Sequence, residues 1–220
     1  MNGLYASPLL WQLCVSLEAL TTLFNDLPEE SGATAMSARK IPDLEKPLVL
    51  VGMMGAGKSA IGRRLSASLD IEFVDADDEI ESAAGCSIPD IFEHHGEQAF
   101  RDGERRVILR LLNGPLKVVA TGGGAFMNEE TRAAIKEHAH SIWLRADFDT
   151  LWRRVSRRNN RPMLHTADPQ ATLRDLIKTR YPVYSEADIT VESTDGPREE
   201  TVDRVIRAVN GYLGKQDNGG

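Results

Sequence analysis

Short apolar runs alternate with longer amphipathic segments along most of the chain. Five runs of four or five residues predict β-strands, and they lie at 47–51, 71–75, 118–121, 141–145 and 189–192. Runs with so few polar positions are typical of strands that are buried on both faces. Because helical segments separate the runs, the pattern predicts an α/β fold with a five-stranded parallel sheet and helices on both faces.

The segments between these runs carry apolar residues three or four positions apart, as amphipathic helices do. They predict helices over 59–69, 77–84, 88–112, 147–157, 171–184 and 197–213, with one more starting near Asn128. Ser87 and Pro89 are typical of a helix start, because serine caps the first turn and proline needs no amide partner there. Gly85 is typical of a helix end, and Gly96 predicts a break within the long helix.

Residues 1–45 do not follow this alternation. The segment 7–24 is moderately apolar with a helical rhythm, but it contains polar and acidic residues and no basic leader, so it predicts neither a signal peptide nor a membrane span. Residues 29–43 are polar and rich in small side chains, which is typical of a linker. We expect a poorly ordered extension over 1–45, one catalytic domain over 46–214, and a flexible tail over 215–220.

Composition narrows the classes of partner and compartment. The 220 residues include 26 Lys and Arg against 33 Asp and Glu, a net charge of −7, which argues against nucleic acid as the main partner. Cys14 and Cys86 have no metal-type spacing and are too few for a disulfide framework, so we expect a reducing, cytoplasmic location. The five histidines lack the helical spacing of metal ligands, which favours packing roles for them.

A glycine-rich segment, Gly52–Ser59, joins the first predicted strand to the first predicted helix and is a complete Walker A pattern. Its glycines let backbone N–H groups point inward, and the helix N-terminus adds positive charge, so the loop suits a polyphosphate. Lys58 is expected to reach the β- and γ-phosphates, and the Ser59 hydroxyl to ligate Mg²⁺. The predicted ATP contacts in this segment are Gly55, Ala56, Gly57, Lys58, Ser59 and Ala60.

Two further motifs lie at the ends of predicted core strands, where ligands bind in an open α/β sheet. Asp75 and Asp77 follow the second strand, so that one could bind Mg²⁺ through water while the other accepts a proton from a hydroxyl. A solvated helix cap formed by Asp77 explains the same pattern equally well. Gly122–Gly124 follow the third strand and favour close backbone approach by a ligand over a merely flexible connection.

Arginines cluster late in this acidic chain. Five of them, at positions 153, 154, 157, 158 and 161, precede Pro162. Guanidinium groups bind carboxylates and phosphates bidentately, and the surrounding segment is irregular. We therefore predict a lid over about 156–170 that brings an arginine onto the transferring phosphoryl group. Arg101 and Arg180 stand apart from this cluster and suit a small anionic substrate.

From about Pro47 to Leu213, the chain resembles the shikimate kinase family. The resemblance rests on six segments in the family's order: Gly52–Ser59, Phe73–Glu81, Phe100–Glu104, Thr121–Gly124, Arg161–Leu164 and Arg180–Tyr184. Each segment is modestly specific alone, but the ordered set is highly specific. It implies a P-loop kinase fold with strand order 2-3-1-4-5. It also implies ATP-dependent phosphorylation of the 3-hydroxyl of shikimate, a step of chorismate and aromatic amino-acid biosynthesis.

The resemblance further implies a role for individual residues. The catalytic residues would be Asp77, as candidate base, with Lys58 and Arg161. ATP would also contact Arg161 in the lid and Arg154 beside the adenine, while Mg²⁺ would lie near Ser59 and Asp75. The substrate contacts would be Asp77, Arg101, Gly122, Gly123, Gly124 and Arg180, with the two arginines on the carboxylate and Glu104 acting through Arg101. The implied partners are ATP and shikimate, for a monomer without a nucleic-acid or membrane partner.

Two alternatives remain open from the sequence. A related small-molecule kinase of the gluconate kinase type shares the loop and sheet, but is expected to lack the combination of Asp75, Asp77, Arg101 and the glycine run. A non-catalytic nucleotide-binding module is disfavoured because Lys58, Asp77 and Arg161 are present, and the Asn-Lys-x-Asp loop of guanine-specific switches is absent. Ala60, where the family often has Ser or Thr, leaves the predicted Mg²⁺ ligand Ser59 unaffected.

Overall fold

A computed structural model describes residues 41–42, 44–157 and 166–216. Its five strands are β1 (Leu48–Val51), β2 (Glu72–Asp75), β3 (Lys117–Ala120), β4 (His140–Arg145) and β5 (Ile189–Glu192). Its helices are α1 (Lys58–Leu69), α2 (Ala76–Ala84), α3 (Ile88–Leu112), α4 (Glu129–His138), α5 (Phe148–Val155), α6 (Pro169–Tyr184) and α7 (Arg198–Gln216). A 3₁₀ turn over Ala125–Met127, which the sequence pattern does not predict, precedes α4.

The strands form one parallel sheet in the order β2-β3-β1-β4-β5. This confirms both the five-stranded parallel sheet and the strand order that the family resemblance implies. The order reverses at β1, whose neighbours β3 and β4 lie on either side of it. The carboxyl end of β1 is therefore the place where such a sheet opens a crevice for a ligand.

The core lies on both faces of the sheet. Side chains alternate between faces along a strand, and all of Leu48–Val51 in β1 are fully buried, so helices must cover β1 on both sides. Among the helices, α1 contacts α7, and α3 contacts α4. At the sheet edge, β5 alternates between buried and exposed residues, because only one of its faces is covered.

The ends of the helices follow local capping chemistry. α3 begins with a capping box between Ser87 and Asp90, and its backbone leaves helical geometry at Gly96 with a φ of 78°, as predicted. α2 ends at Gly85 in the left-handed conformation. The residue that caps the start of α2 is Asp75, whose carboxylate accepts a hydrogen bond from the Asp77 backbone N–H. The interpretation of Asp77 as the helix cap is therefore wrong, and its side chain is left available for other contacts.

Three predicted segments fall partly outside the described residues. Residues 1–40 and Asp43 of the expected extension are among these, although Ile41 is buried against the hydrophobic core. Within the predicted lid, residues 158–165 are also outside the described part, and so is the end of the tail. The domain boundaries thus stay predictions. Among the described helices, none is long and apolar enough to cross a membrane.

Candidate active site

The phosphate loop, which is Gly52–Ser59, is held between β1, α1 and the elements beside them. Gly52 has a φ of 139°, and a Cβ there would lie 2.7 Å from the Leu144 carbonyl oxygen of β4. Gly55 has a φ of 82°, and a Cβ there would lie 2.8 Å from a methyl carbon of Val155. Both glycines are required, since a side chain would be strained and would also collide with the neighbouring element.

Lys58 folds back over this loop. Its ammonium group donates hydrogen bonds to the carbonyl oxygens of Gly52, at 2.8 Å, and Met53, at 3.1 Å. These bonds hold the charged end of the side chain above the loop, close enough for its charge to lower the pKa of Asp77. The positive charge therefore lies at the phosphate loop and within electrostatic reach of the predicted base.

Ser59 and Asp75, the predicted metal pair, are in direct contact. The Ser59 hydroxyl donates to a carboxylate oxygen of Asp75 at 2.6 Å, although one comes from α1 and the other from the end of β2. Hydroxyl and carboxylate oxygens are ligands that Mg²⁺ accepts. In residues 41–42, 44–157 and 166–216, no three His, Cys, Asp or Glu side chains come together as a metal cluster. A hydroxyl and a carboxylate in contact beside the phosphate loop suit a hydrated Mg²⁺ that takes its other ligands from phosphates and water.

Asp77 lies in the first turn of α2, facing the glycine run. A Cβ on Gly122 would lie 2.8 Å from Oδ1 of Asp77 and 3.0 Å from Oε1 of Glu104. Burial raises the pKa of Asp77, the charge of Asp75 raises it further, and Lys58 partly opposes both effects. A carboxylate with a raised pKa is a better proton acceptor than an exposed aspartate.

Arg101 lies on α3 and is oriented by two carboxylates of the same helix. It donates to Glu104 at 2.8 Å and to Glu97 at 3.3 Å. Glu104 is only 3% exposed, and burial raises its pKa although the Arg101 hydrogen bond lowers it. Burial lowers the pKa of Arg101 itself, but its bonds to the two glutamates outweigh that effect and the net shift is upward. Arg101 therefore stays charged beside the glycine run.

Arg180 reaches the same run from α6. It is 7% exposed, and Nη1 donates to the Gly123 carbonyl oxygen at 3.0 Å. A Cβ on Gly123 would lie 3.2 Å from that nitrogen, and one on Gly124 would lie 2.5 Å from Nη1 of Arg101. Each glycine therefore leaves room for a different predicted substrate-binding side chain, and the structure brings all of them together.

One open cavity of about 1370 Å³ extends from the phosphate loop to the acceptor residues. Its wall includes Lys58, Ser59, Ala60, Asp75, Asp77, Gly122 and Gly123, together with Arg153, Arg154 and Arg157. Gly124 is outside this lining, and so are Arg101 and Arg180, which lie against the glycine run. Arg161 falls outside the described residues, and its predicted contact with ATP stays a prediction.

Arg154 has a structural role that the sequence does not reveal. It donates to the Gly55 carbonyl oxygen at 3.1 Å, to the Ser193 hydroxyl at 3.0 Å and to Asp195 at 3.1 Å. The arginine thereby ties the phosphate loop to the segment after β5. Burial and the charges of nearby arginines lower its pKa. Its predicted contact with adenine stays a prediction.

Ser193 and Asp195 were not among the predicted site residues. Ser193 is buried and donates to the Ala56 carbonyl oxygen at 2.7 Å, while Asp195 pairs with Arg153 as well as Arg154. Both line the cavity. The signal that could have found them is their position directly after β5, because the carboxyl ends of the other strands also carry the predicted ligand-binding residues.

This fold and site define a P-loop kinase that acts on a small acceptor. The comparisons with known proteins agree: the family model for shikimate kinase matches residues 54–210. Shikimate kinase of Rhodopseudomonas palustris is 59% identical over 77% of this chain and 83% of its own. The structure of shikimate kinase from Acinetobacter baumannii in complex with shikimate is 37% identical, with a TM-score of 0.73 over 76% of this chain and 94% of that one.

The chain therefore belongs to the shikimate kinase family. A gluconokinase from Sinorhizobium meliloti also superimposes, with a TM-score of 0.56 over 83% of this chain and all of the other, but at 16% identity it shows the shared fold alone.

Proposed function

We propose that this chain transfers the γ-phosphoryl group of ATP to the 3-hydroxyl of shikimate, giving shikimate 3-phosphate and ADP. Membership of the shikimate kinase family supports this reaction and favours it over the gluconate kinase and non-catalytic alternatives. The observation that carries the proposal is the single cavity that joins the Lys58 loop to Asp77 and the glycine run. The reaction places the protein in the biosynthesis of chorismate and aromatic amino acids.

At the phosphate end, the inward N–H groups of the loop and the start of α1 would bind the polyphosphate. Lys58 would neutralise charge that develops on the transferring group, which is the main requirement of phosphoryl transfer. Arg154 would keep the loop in place through Gly55 while it borders the nucleotide. Arg161, carried over from the family motif, would close on ATP from the lid.

At the acceptor end, Asp77 would accept the proton of the 3-hydroxyl as the oxygen attacks phosphorus. Burial supports this role, because it raises the pKa of the Asp77 carboxyl. Arg101 and Arg180 would bind the shikimate carboxylate, which suits two guanidinium groups on different helices. Glu104 would orient Arg101 through their 2.8 Å hydrogen bond. The glycine run would let the ring approach the backbone closely.

Mg²⁺ is proposed at the Ser59–Asp75 pair. The 2.6 Å contact of these two oxygen-bearing side chains beside the phosphate loop fits the ion. When bound, it would supply charge neutralisation across the β- and γ-phosphate oxygens. Ser59 would contribute its hydroxyl oxygen, and Asp75 would hold the ion's water while it caps α2.

We also propose a cytoplasmic monomer that has no nucleic-acid or membrane partner, with the catalytic domain over 46–214. The net charge of −7 supports the absence of a nucleic-acid partner. Light scattering coupled to size-exclusion chromatography would test the monomer, because the molar mass measured for a dimer would be twice the 24.3 kDa of the chain.

The proposed reaction is tested by ADP release from Mg-ATP with shikimate, gluconate, AMP or no acceptor. Stimulation by shikimate alone is expected. Stimulation by another acceptor alone would contradict the substrate assignment and require a new role for the arginines. ATP binding without stimulation by any of the three would favour the non-catalytic module.

A further inference from the structure

The Gly123 carbonyl oxygen in the middle of the glycine run accepts two hydrogen bonds from one helix. Arg180 donates Nη1 at 3.0 Å, and the Tyr184 hydroxyl donates from one turn further along α6. Residues four apart on a helix lie on one face, so both side chains point at the same peptide. Of these two donors, only Arg180 is a predicted substrate contact. Tyr184 belongs to the family motif Arg180–Tyr184 but has no assigned role.

Tyr184 is held firmly where it is. Its side chain is fully buried, and its ring packs on Trp143 and Phe126 with centroid distances of 6.0 and 6.5 Å. Its hydroxyl also lies 4.0 Å from the Met53 sulfur in the phosphate loop. Burial raises the pKa of Tyr184, and the charge and hydrogen bond of Arg180 only partly offset this. The phenol therefore stays protonated, and so stays a donor, across the neutral range.

We propose that Tyr184 is a positioning residue for the acceptor carboxylate, acting through Gly123 and Arg180. With both hydrogen bonds in place, the Gly123 peptide has one orientation, and the guanidinium bound to it presents its remaining N–H groups in a fixed direction. Without the phenol oxygen, Arg180 and the peptide are free to shift together. This inference rests on the proposed function, in which Arg180 binds the shikimate carboxylate.

The chain offers a matched control on the same helix. Tyr181 is partly buried, packs on Trp143 at 4.9 Å, and donates its hydroxyl to a backbone carbonyl oxygen. Its acceptor is Ala146, just after β4, rather than Gly123. Burial raises the pKa of Tyr181 to about 12. Tyr181→Phe therefore removes the same kind of hydrogen bond without touching the glycine run.

The test compares Tyr184→Phe with Tyr181→Phe, since phenylalanine keeps each ring in the aromatic cluster. In Tyr184→Phe, we expect the KM for shikimate to rise about fivefold, as for one lost hydrogen bond, with kcat and the KM for ATP changed less than about twofold. The preference for shikimate over its carboxamide should shrink by a similar factor. Tyr181→Phe should lower the thermal midpoint as much as Tyr184→Phe does, but it should leave both KM values and the preference for shikimate over its carboxamide unchanged.

A double-mutant cycle separates positioning from general loss of packing. In an Arg180→Ala background, Tyr184→Phe should raise the KM for shikimate no further, because the positioned group is already gone. Additive effects, or equal KM shifts in both tyrosine variants, would overturn the inference. If shikimate does not stimulate ADP release by the native protein, the proposed function itself is refuted. If it does, but Tyr184→Phe leaves the KM for shikimate unchanged, only the positioning role of Tyr184 is refuted.

Discussion

The phosphate end and the acceptor end of the cavity are built in different ways. The phosphate end comes from eight consecutive residues, Gly52–Ser59, and it works mainly through backbone groups and one lysine. The acceptor end combines side chains from α2, α3 and α6 with the glycine run after β3. A contiguous loop has its geometry set by local conformation, whereas a dispersed site depends on how the helices pack. The two ends should therefore fail differently when mutated.

The largest effect is expected at Asp77, because the proposed proton acceptor acts where the acceptor hydroxyl meets the transferring phosphoryl group. Asp77→Asn removes the proton acceptor while keeping the shape, and kcat should fall about 10²–10⁴-fold. The matched control is Asp78→Asn, whose side chain is 72% exposed and pairs with Arg63 at 3.8 Å. Steady-state ADP release measures both variants. An Asn variant that keeps most of the native kcat would mean that Asp77 orients the hydroxyl without removing its proton.

Asp77→Asn should also be more stable than the native protein. The pKa of Asp77 is raised in the folded state, mainly by burial, so its contribution to stability is full at acid pH and is lost as the pH rises through the folded pKa. At neutral pH the ionised group therefore destabilises the fold, and Asp77→Asn should raise the thermal midpoint. The acid limb of the native kcat profile should also lie above the range of an exposed aspartate. A lower midpoint for the variant would contradict this.

A substitution at the phosphate end alone should lower kcat, measured with both ATP and shikimate saturating. Lys58→Ala removes a charge whose value grows in the transition state, and kcat should fall about 10²–10³-fold. Lys46→Ala is the control, because its ammonium donates to the Glu137 carbonyl oxygen away from the cavity. Near-normal turnover in Lys58→Ala would refute the assigned role.

Breaking the acceptor end should instead separate the two KM values. Arg180→Ala should raise the KM for shikimate about 10–100-fold and change the KM for ATP little, because it removes a charged partner of the carboxylate only. Arg174→Ala, on the same helix but stacked over Phe148 at 4.3 Å, serves as the control. Equal increases in both KM values would mean that Arg180 serves the nucleotide as well.

The smallest expected effect sharpens the part played by the glycines. Gly124→Ala places a Cβ 2.5 Å from Nη1 of Arg101 and should displace that side chain, raising the KM for shikimate about threefold to tenfold. Gly103→Ala is the control, since a Cβ there on α3 would meet no described atom within 4 Å apart from its chain neighbours and the backbone of its own helix. The two variants are compared by shikimate titrations at saturating ATP. An unchanged KM in Gly124→Ala would show that Arg101 tolerates the shift.

Much of this arrangement was predictable because it is local. The five strands and the break at Gly96 follow from residues close together in the chain, and so does the phosphate loop. The structure changed the interpretation where two neighbouring residues could both cap one helix, because Asp75 caps α2 and Asp77 does not. The 3₁₀ turn over Ala125–Met127 was missed because no hydrophobic period is readable in so short a segment.

The sequence by itself determined the fold class, the phosphate loop and, through the family motifs, which side chains belong to the acceptor site. Only the tertiary structure decided contacts between distant parts of the chain that the sequence does not predict: Ser193 and Asp195 around Arg154, and Tyr184 on Gly123. The physical reason is distance along the chain. Loop and helix signals arise from near neighbours, whereas Tyr184 meets Gly123 across 61 residues, and that contact exists only when α6 packs beside the end of β3.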